Sequence, residues 1–380
     1  MIQLRGERHR VLAGHPWVYA NEIAEPCSAE DAGDTAALYD ARGRFVASGI
    51  YNPRSQIVWR RYSFSSEDLD AVFIRRALLR ALNRRAQNPV CRLVWSESDS
   101  LPGLTVDRYD DVLVLQAQTR ALDARIPIIA DILCDLLHPR ALIVRNEAKV
   151  RALEGLSCHT YIHSGELRPE ESVRIDGILF HIDFQNGQKT GLYLDQREHY
   201  GRAARYAAGR RVLDAFCNQG GFALFAARAG AGMVRAIDSS ESALSLLRRN
   251  AEANGCARIE TVVANVFDYF HQNRDERWDL VILDPPPFAP VKKRLDSAYR
   301  GYKELNLRAA QSLNRGGILM SFSCSHHIGL ADFTEIVREA FSDAGKSAHI
   351  LEYLHQPPDH PILLDMPESE YLCGLIVEVP

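Results

Sequence analysis

The hydrophobic pattern of the C-terminal half alternates between short apolar strands and helices, and four of the strands stop at a polar or reactive residue. These four ends are Asp214, Asp238, Asp284 and Cys324. Strands that alternate with helices predict an α/β domain built on a doubly wound parallel sheet. Because such a sheet binds its ligand at the carboxyl ends of its strands, we expect the four side chains to meet at one edge.

The first of these units is the stretch 211–226, which begins as an apolar strand, passes Asp214 and turns through Gly220 and Gly221 into an Ala-rich helix. Glycines allow a backbone to pass close to a ligand. The turn lacks the G-x-G-x-x-G pattern that cradles a pyrophosphate at a helix N-terminus. A carboxylate with polar neighbours such as Asn218 favours S-adenosylmethionine, which carries an ammonium group and a ribose but no phosphate. An NAD-dependent dehydrogenase stays open as an alternative.

Two other parts precede this domain. Residues 1–65 read as short strands and turns and predict a small β-barrel. Arginines interleave there with aromatic side chains, as in surfaces that bind RNA, although solvated strand faces around a small core fit equally well. This set comprises Arg5, Arg8, Arg10, Arg54, Arg60, Arg61, Trp17, Tyr19, Trp59 and Tyr62. Residues 66–180 predict a central α+β domain with helices at 69–85 and 126–137, and 181–380 form the catalytic domain.

Composition narrows the class of protein. The 380 residues carry a formal net charge of -4, so RNA binding would depend on local basic patches and not on a global excess of charge. The 8 cysteines are scattered without C-x-x-C or zinc-ligand spacing, which predicts reduced thiols in the cytoplasm and no metal. The N-terminus has no apolar signal core, and no apolar run is long enough to span a bilayer.

The loop Asp284-Pro285-Pro286-Pro287-Phe288 follows the third of the four strands. Prolines fix φ and lack N–H donors, which leaves carbonyl groups available to the amino group of a flat substrate. Phe288 could stack on the base. This loop suits methylation of an amino group on adenine or guanine, whereas a stiff strand exit that only shapes the fold is the simpler interpretation.

Cys324 distinguishes methylation of a cytosine ring carbon from methylation of an amino group. A cytosine ring carbon is a poor nucleophile until a thiolate adds to the neighbouring carbon, which is covalent catalysis by cysteine. Most free cysteines are buried small hydrophobes, but Cys324 follows an apolar strand, next to His326 and His327. Cys217 is a rival thiol whose place in the cofactor turn favours a packing role. Cys256 and Cys373 are predicted to be structural.

Motifs across nearly the whole chain carry a family resemblance. They are His15-Pro16-Trp17-Val18; Glu97 through Arg108; Lys189-Thr190-Gly191 with Tyr193-Leu194-Asp195-Gln196-Arg197; Asp284-Pro285-Pro286 with Phe288; Arg300-Gly301-Tyr302-Lys303 with Asn306; Ser323-Cys324-Ser325; Asp359-His360-Pro361; and Pro367-Glu368 with Tyr371-Leu372. The chain resembles the large-subunit ribosomal RNA methyltransferase I family, which are cytosine-5 enzymes with an N-terminal PUA domain.

The resemblance implies a PUA-like barrel, a central α+β domain and a Rossmann-like methyltransferase domain. It also implies S-adenosylmethionine as methyl donor, large-subunit (23S-type) ribosomal RNA as partner and Cys324 as nucleophile. We expect Asp284 to be a second catalytic residue that binds N3 and the amino group of the cytosine. We expect the cofactor to be bound by Thr190, Tyr193, Asp214, Phe216, Asn218, Gly220, Asp238, Ser239, Asn265 and Asp284. We expect the substrate to be bound by Pro285, Phe288 and Lys303.

The sequence departs from the family pattern at a few positions. Pro287 stands where a lysine is usual, which leaves the exact base open, and Asn218-Gln219 replaces a Tyr-Thr or similar pair. Asn265 stands where an aspartate often meets the adenine amino group. The Asp284 loop has no cysteine, which argues against a two-cysteine release mechanism. A non-catalytic RNA-binding factor, the modified nucleotide and the number of subunits, a homodimer included, stay open.

Overall fold

The computed structural model describes residues 1–7, 9–25, 34–85, 88–184, 190–256, 258–288, 295–325 and 327–380. Arg8, Lys189 and His326, which the sequence singles out, lie outside these ranges. The chain forms two compact units. The first comprises 1–173, 182–194 and 358–369, and the second comprises 174–181, 195–357 and 370–380.

The first unit begins with a five-stranded sheet of order β1-β3-β4-β5-β2. Its strands are β1 (Ile2–Gln3), β2 (Trp17–Val18), β3 (Thr35–Tyr39), β4 (Phe45–Tyr51) and β5 (Trp59–Ser63). Trp59 fills the core below this sheet: it is fully buried, it packs over Gly49, and its indole nitrogen donates to the Ala36 carbonyl at 2.9 Å. The predicted small β domain is therefore built around this tryptophan.

Several of the aromatic and basic residues predicted to bind RNA are buried or hydrogen-bonded within the protein. Trp59 is 0% and Tyr62 5% exposed, so the interpretation that they stack on bases is wrong. Trp17 donates its indole N–H to Glu97 at 2.7 Å, and Arg60 donates to the same carboxylate at 3.0 Å. Strand β5 lies between β4 and β2, and Arg61 and Tyr62, which point to opposite faces, are both buried.

A second sheet of the first unit has the order β10-β9-β8-β7-β6 and is covered by helices. The elements are α1 (Ala71–Arg85), β6 (Val90–Trp95), β7 (Leu104–Tyr109), β8 (Val112–Ala117), α2 (Arg120–Asp123), α3 (Ile126–Leu137), β9 (Ala141–Asn146) and β10 (His159–Gly165). Ile74, Leu78 and Ile129 belong to the buried core that joins α1 and α3 to the sheet. The predicted helices at 69–85 and 126–137 are confirmed. The hairpin β11 (Glu171–Ile175) and β12 (Ile178–Ile182) follows.

The second unit is built on a seven-stranded sheet of order β15-β14-β13-β16-β17-β19-β18. Its elements are α4 (Arg197–Ala204), β13 (Arg211–Ala215), α5 (Gly221–Arg228), β14 (Met233–Asp238), α6 (Glu241–Ala253), β15 (Ile259–Val263), α7 (Val266–Gln272), β16 (Trp278–Leu283), α8 (Leu295–Ser312), β17 (Leu313–Ser323), α9 (Leu330–Asp343), β18 (His349–His355) and β19 (Cys373–Glu378). Strands β13 to β17 pair in parallel, and β19 pairs antiparallel with β17 and β18. The predicted α/β class with a doubly wound parallel sheet is confirmed.

Two segments that the sequence assigns to the catalytic domain pack with the first unit instead. In 182–194, the Thr190 hydroxyl donates to Asp107 at 2.5 Å and lies 3.0 Å from the Tyr109 hydroxyl. In 358–369, the Asp359 carbonyl accepts from Arg85 at 3.0 Å. These contacts join residues far apart in sequence, so no local pattern marks them.

Candidate functional site

Asp214 lies at the centre of the sheet edge, on β13 between β14 and β16, in register with Ala236 and Ile282. It is fully buried. One carboxylate oxygen, Oδ2, accepts from the Ala223 N–H at 2.9 Å, while Oδ1 has no hydrogen-bond partner among the described residues. Burial raises the pKa of Asp214 to about 8, and the charges of Asp284 and Asp238 add to the shift. A cationic ligand that met Oδ1 would favour the ionised carboxylate.

The turn after β13 is held in an unusual backbone conformation. Phe216 has φ 65°, Asn218 has φ 48° and Gly220 has φ 84°. Side-chain-bearing residues rarely adopt positive φ, and they do so where surrounding contacts hold them. Asp238 provides such a contact: one of its oxygens accepts from the Asn218 N–H and the other from the Ser240 N–H, both at 2.9 Å. Asp238 therefore fixes the first two strand-to-helix connections to each other.

Gly220 and Gly221 are required by protein packing. A Cβ on Gly220 would lie 2.5 Å from Leu247, and one on Gly221 would lie 2.3 Å from Tyr200. Gly220 also needs its positive φ. Neighbouring side chains therefore require glycine at both positions, and the predicted close approach of the backbone to a ligand stays a prediction.

The remaining predicted cofactor residues are distributed over both units. Ser239 and Asn265 are exposed in the connections that follow β14 and β15. Asn265 also caps α7, because its side-chain oxygen accepts from the Phe267 N–H at 2.9 Å. Thr190 and Tyr193 belong to the first unit. The roles of these four residues in cofactor binding stay predictions.

Cys324 follows β17 and lies against the loop after β16. Its Sγ donates to the Pro285 carbonyl at 3.6 Å, so the thiol and the Asp284 loop meet at the same sheet edge. The Phe288 ring packs against Tyr302, with ring centroids 4.7 Å apart, and against Phe267 at 6.0 Å. The thiol is half-buried, and Pro285 is buried. A substrate that reached Cys324 would meet this loop.

Helix α8 supports this region with a buried hydroxyl cluster. The Tyr302 hydroxyl lies 2.9 Å from the Ser325 hydroxyl. Burial raises the pKa of Tyr302 to about 12, so the phenol is neutral near pH 7. The neighbouring Lys303 forms ion pairs with Glu339 and Asp343 of α9, at 2.9 Å and 3.0 Å. These ion pairs do not connect Lys303 with the other predicted site residues. Its predicted contact with the substrate stays a prediction.

The other cysteines of the second unit are buried. Burial raises the pKa of the Cys217 thiol well above its usual value, and the charges of Asp214 and Asp238 add to this. Burial likewise raises the pKa of Cys256, and that of Cys373 to about 12. Because a thiolate is the reactive form, these three thiols are poor nucleophiles. Within the described part of the chain, no group of three or more His, Cys, Asp or Glu residues could hold a metal ion, and no helix is long and apolar enough to cross a membrane.

Two residues that the sequence interpretation missed approach Asp284. The Gln196 amide nitrogen donates to Asp284 Oδ1 at 2.9 Å, and the His199 Nδ1 donates to the Gln196 amide oxygen at 2.6 Å. Both side chains are buried. Gln196 lies in one of the resemblance motifs, but its contact with a loop almost ninety residues away has no signal in the sequence.

Comparisons with known proteins agree with this arrangement. Residues 151–370 match the family described as S-adenosylmethionine-dependent methyltransferase, and residues 4–64 match the PUA-like domain. A Tolumonas auensis protein named Ribosomal RNA large subunit methyltransferase I is 40% identical over 99% of this chain and 98% of its own length. An Aeromonas hydrophila protein of the same name is 39% identical over 98% of both chains.

Solved structures share the fold at low sequence identity. A Streptococcus mutans protein described as a SAM-dependent methyltransferase superposes with a TM-score of 0.86 at 20% identity and covers 100% of both chains. A methyltransferase chain complexed with SAH superposes with a TM-score of 0.85, also at 20% identity, over 97% of both chains. At this identity the likeness shows the fold alone.

Proposed function

Because the chain belongs to the ribosomal RNA large subunit methyltransferase I family of S-adenosylmethionine-dependent methyltransferases, we propose that it methylates carbon 5 of a cytosine in large-subunit ribosomal RNA through a covalent Cys324 adduct. One observation carries this proposal: the half-buried Cys324 thiol lies 3.6 Å from the carbonyl of Pro285, directly after Asp284. This contact supports a site in which the attacking sulfur lies against the backbone of the loop that begins at Asp284.

The residues around Asp214 fit S-adenosylmethionine, which supplies a methyl group bonded to a positively charged sulfur. The buried Oδ1 of Asp214 can accept a hydrogen bond from the ammonium group of the methionine end. We assign the ribose hydroxyls to Asp238 and the adenine to Asn265. The clustered carboxylates would favour a ligand with positive charge.

Cys324 begins the reaction on the cytosine ring. Its thiolate forms a bond to carbon 6, and the displaced electron pair makes carbon 5 nucleophilic. Carbon 5 then takes the methyl group as the methyl–sulfur bond of the donor breaks. A base removes the proton from carbon 5, and the bond between Sγ and carbon 6 breaks to return the thiolate. The target base has to leave its stack to reach the sulfur.

Asp284 acts on the opposite edge of the ring. We assign its carboxyl group to N3 and the amino group of cytosine, where it stabilises the protonated ring that a thiolate attacks. The Pro285 carbonyl accepts a hydrogen bond from the Cys324 thiol at 3.6 Å, which supports a loop that would contact both the sulfur and the base. Phe288, packed on Tyr302, is assigned to the face of the base.

The test is the Cys324→Ala variant. We expect it to bind S-adenosylmethionine with unchanged affinity and to lose more than about 1000-fold in methylation of unmodified large-subunit ribosomal RNA, because removal of a covalent nucleophile eliminates the chemical step. Cys158→Ala, which removes an exposed thiol of the first unit, is the matched control and should keep full activity.

The methylated nucleoside is then identified by mass spectrometry after digestion. 5-Methylcytidine that depends on Cys324 supports the proposal. Wild-type activity of Cys324→Ala contradicts the covalent mechanism. Methyl groups on the amino group of adenosine or guanosine would instead favour the second candidate, an amino-group methyltransferase that uses the Asp284–Phe288 loop. Mapping ribosomal RNA from cells with and without the gene locates the modified nucleotide.

A further inference from the structure

A buried hydrogen-bond chain leads from helix α4 to Asp284, and the mechanism above does not use it. His199 is 1% and Gln196 3% exposed. His199 Nδ1 lies 2.6 Å from the Gln196 amide oxygen, and the Gln196 amide nitrogen lies 2.9 Å from Asp284 Oδ1. Polar groups removed from water in this way are costly unless each is paired. The pairing here ends on a carboxyl group at the sheet edge.

The direction of this chain follows from the chemistry of its members. An amide oxygen can only accept, so the His199 ring carries its proton on Nδ1. Burial lowers the pKa of His199 to about 4, which keeps the ring neutral near pH 7. The charged and titratable groups that act on the ring are Arg202, Asp195 and His355. With its oxygen satisfied by His199, Gln196 directs its N–H at Asp284.

Packing against β17 holds the hydrogen-bonded residues His199 and Gln196 in place. The His199 ring lies against Phe322 of β17, with ring centroids 5.0 Å apart. A neutral ring fixed on an apolar neighbour cannot turn without losing its hydrogen bond. Gln196 immediately precedes α4, and its amide is therefore fixed at both ends. A bond at Oδ1 fixes the rotation of the Asp284 carboxyl group, and thereby the direction of Oδ2.

We propose that Gln196 is a positioning residue that orients the Asp284 carboxyl group toward the substrate base, and that His199 fixes the Gln196 amide for this task. The proposal rests on the proposed function, in which Asp284 meets the edge of the base. Preorganised hydrogen bonds of this kind act on the rate of the chemical step more than on ligand affinity.

The test is a double-mutant cycle on methylation of large-subunit ribosomal RNA with Gln196→Met, Asp284→Asn and the double variant. Methionine keeps the length of glutamine and removes the amide. We expect kcat of Gln196→Met to fall by about 10- to 100-fold, as for loss of one hydrogen bond to a charged group, with KM values for RNA and S-adenosylmethionine within about twofold of wild type. Glu198→Met, two positions along α4, is the matched control and should keep wild-type kcat.

The cycle separates positioning from simple support of the fold. If Gln196 acts through Asp284, the double variant is no slower than Asp284→Asn alone, because the group that Gln196 orients is already lost. Independent losses that multiply in the double variant would overturn the proposal. A Gln196→Met protein with wild-type kcat would do the same.

A second readout does not need activity. Nitrogen-15 NMR of the histidine rings distinguishes the two neutral tautomers, and the His199 signal is identified by its absence in His199→Phe, which keeps a ring against Phe322. We expect the Nδ1-protonated neutral form at pH 6 in the wild type and its loss in Gln196→Met. A His199 ring protonated on Nε2, or one that titrates near pH 6.5, would overturn the proposed role of Gln196 and His199. Absence of ribosomal RNA methylation by the wild type would refute the proposed function instead, and the NMR result does not depend on it.

Discussion

Replacing Asp214 with asparagine is expected to stabilise the protein without its cofactor and to weaken S-adenosylmethionine binding. The pKa of Asp214 rises from 3.8 to about 8 because the side chain is buried beside Asp284 and Asp238. The folded state therefore binds a proton that the unfolded chain releases above pH 4, and stability contributed by Asp214 is lost as the pH rises toward 8. Asparagine carries no such proton.

The magnitude follows from this linkage. One pKa unit corresponds to about 1.4 kcal/mol, so roughly three units between the unfolded pKa and pH 7 give an upper limit of about 4 kcal/mol. Asparagine keeps the acceptor for the Ala223 N–H but places an NH₂ group where Oδ1 has no partner in the described part of the chain. That unpaired group costs about 1–3 kcal/mol. We therefore expect a net gain of about 1–3 kcal/mol at pH 7 to 8, and none at pH 4.

Calorimetric unfolding between pH 4 and pH 8 measures this difference. Asp238→Asn is the matched control: it makes the same chemical change at a carboxylate whose two oxygens accept from Asn218 and Ser240, so it should lower stability at pH 7. Asp214→Asn that is no more stable than wild type at pH 8, or whose advantage does not shrink toward pH 4, would refute the reasoning about the buried carboxyl group.

Two further outcomes follow from the same turn. The affinity for S-adenosylmethionine should rise by up to about tenfold per pH unit from pH 5 to 7.5, because a cationic ligand favours ionised Asp214; calorimetry checks this, and a slope that persists in Asp214→Asn would contradict it. Gly220→Ala should lower the free energy of unfolding by about 1–3 kcal/mol, because its Cβ would meet Leu247 at 2.5 Å and φ is 84°; a melting temperature equal to that of the wild type would rule this out.

The sheet edge that carries the candidate site could be predicted from the sequence because each strand and its terminal residue form a local pattern. Each parallel strand is a short apolar run, and the residue that stops it lies at the ligand-binding end of the sheet. Asp214, Asp238 and Asp284 are identified in this way before any contact is known, and the structure places all three at the carboxyl ends of neighbouring parallel strands. Cys324 follows the same rule, and its Sγ lies 3.6 Å from the Pro285 carbonyl of the neighbouring loop, while its role stays a prediction.

What the sequence could not provide depends on contacts between distant residues. The need for glycine at 220 comes from Leu247 on α6, and the hydrogen bond that Asp284 accepts comes from Gln196 before α4. Trp59 has the alternating neighbours of an exposed strand, yet its burial is decided by Gly49 on the adjacent strand. Periodicity describes one element at a time, so partners across the sheet are invisible to it.

The strand order is compatible with the proposal that one sheet edge serves both a cationic donor and a sulfur nucleophile. A thiol among carboxylates is hard to ionise, and Cys217, beside Asp214 and Asp238, illustrates this with its raised pKa. The order β14-β13-β16-β17 places Cys324 two strands from Asp214, roughly 10 Å at ordinary strand spacing. Asp284 follows β16, the strand between them. The bond from Gln196 to Asp284 is therefore one contact through which the protein can direct that carboxyl group toward a substrate.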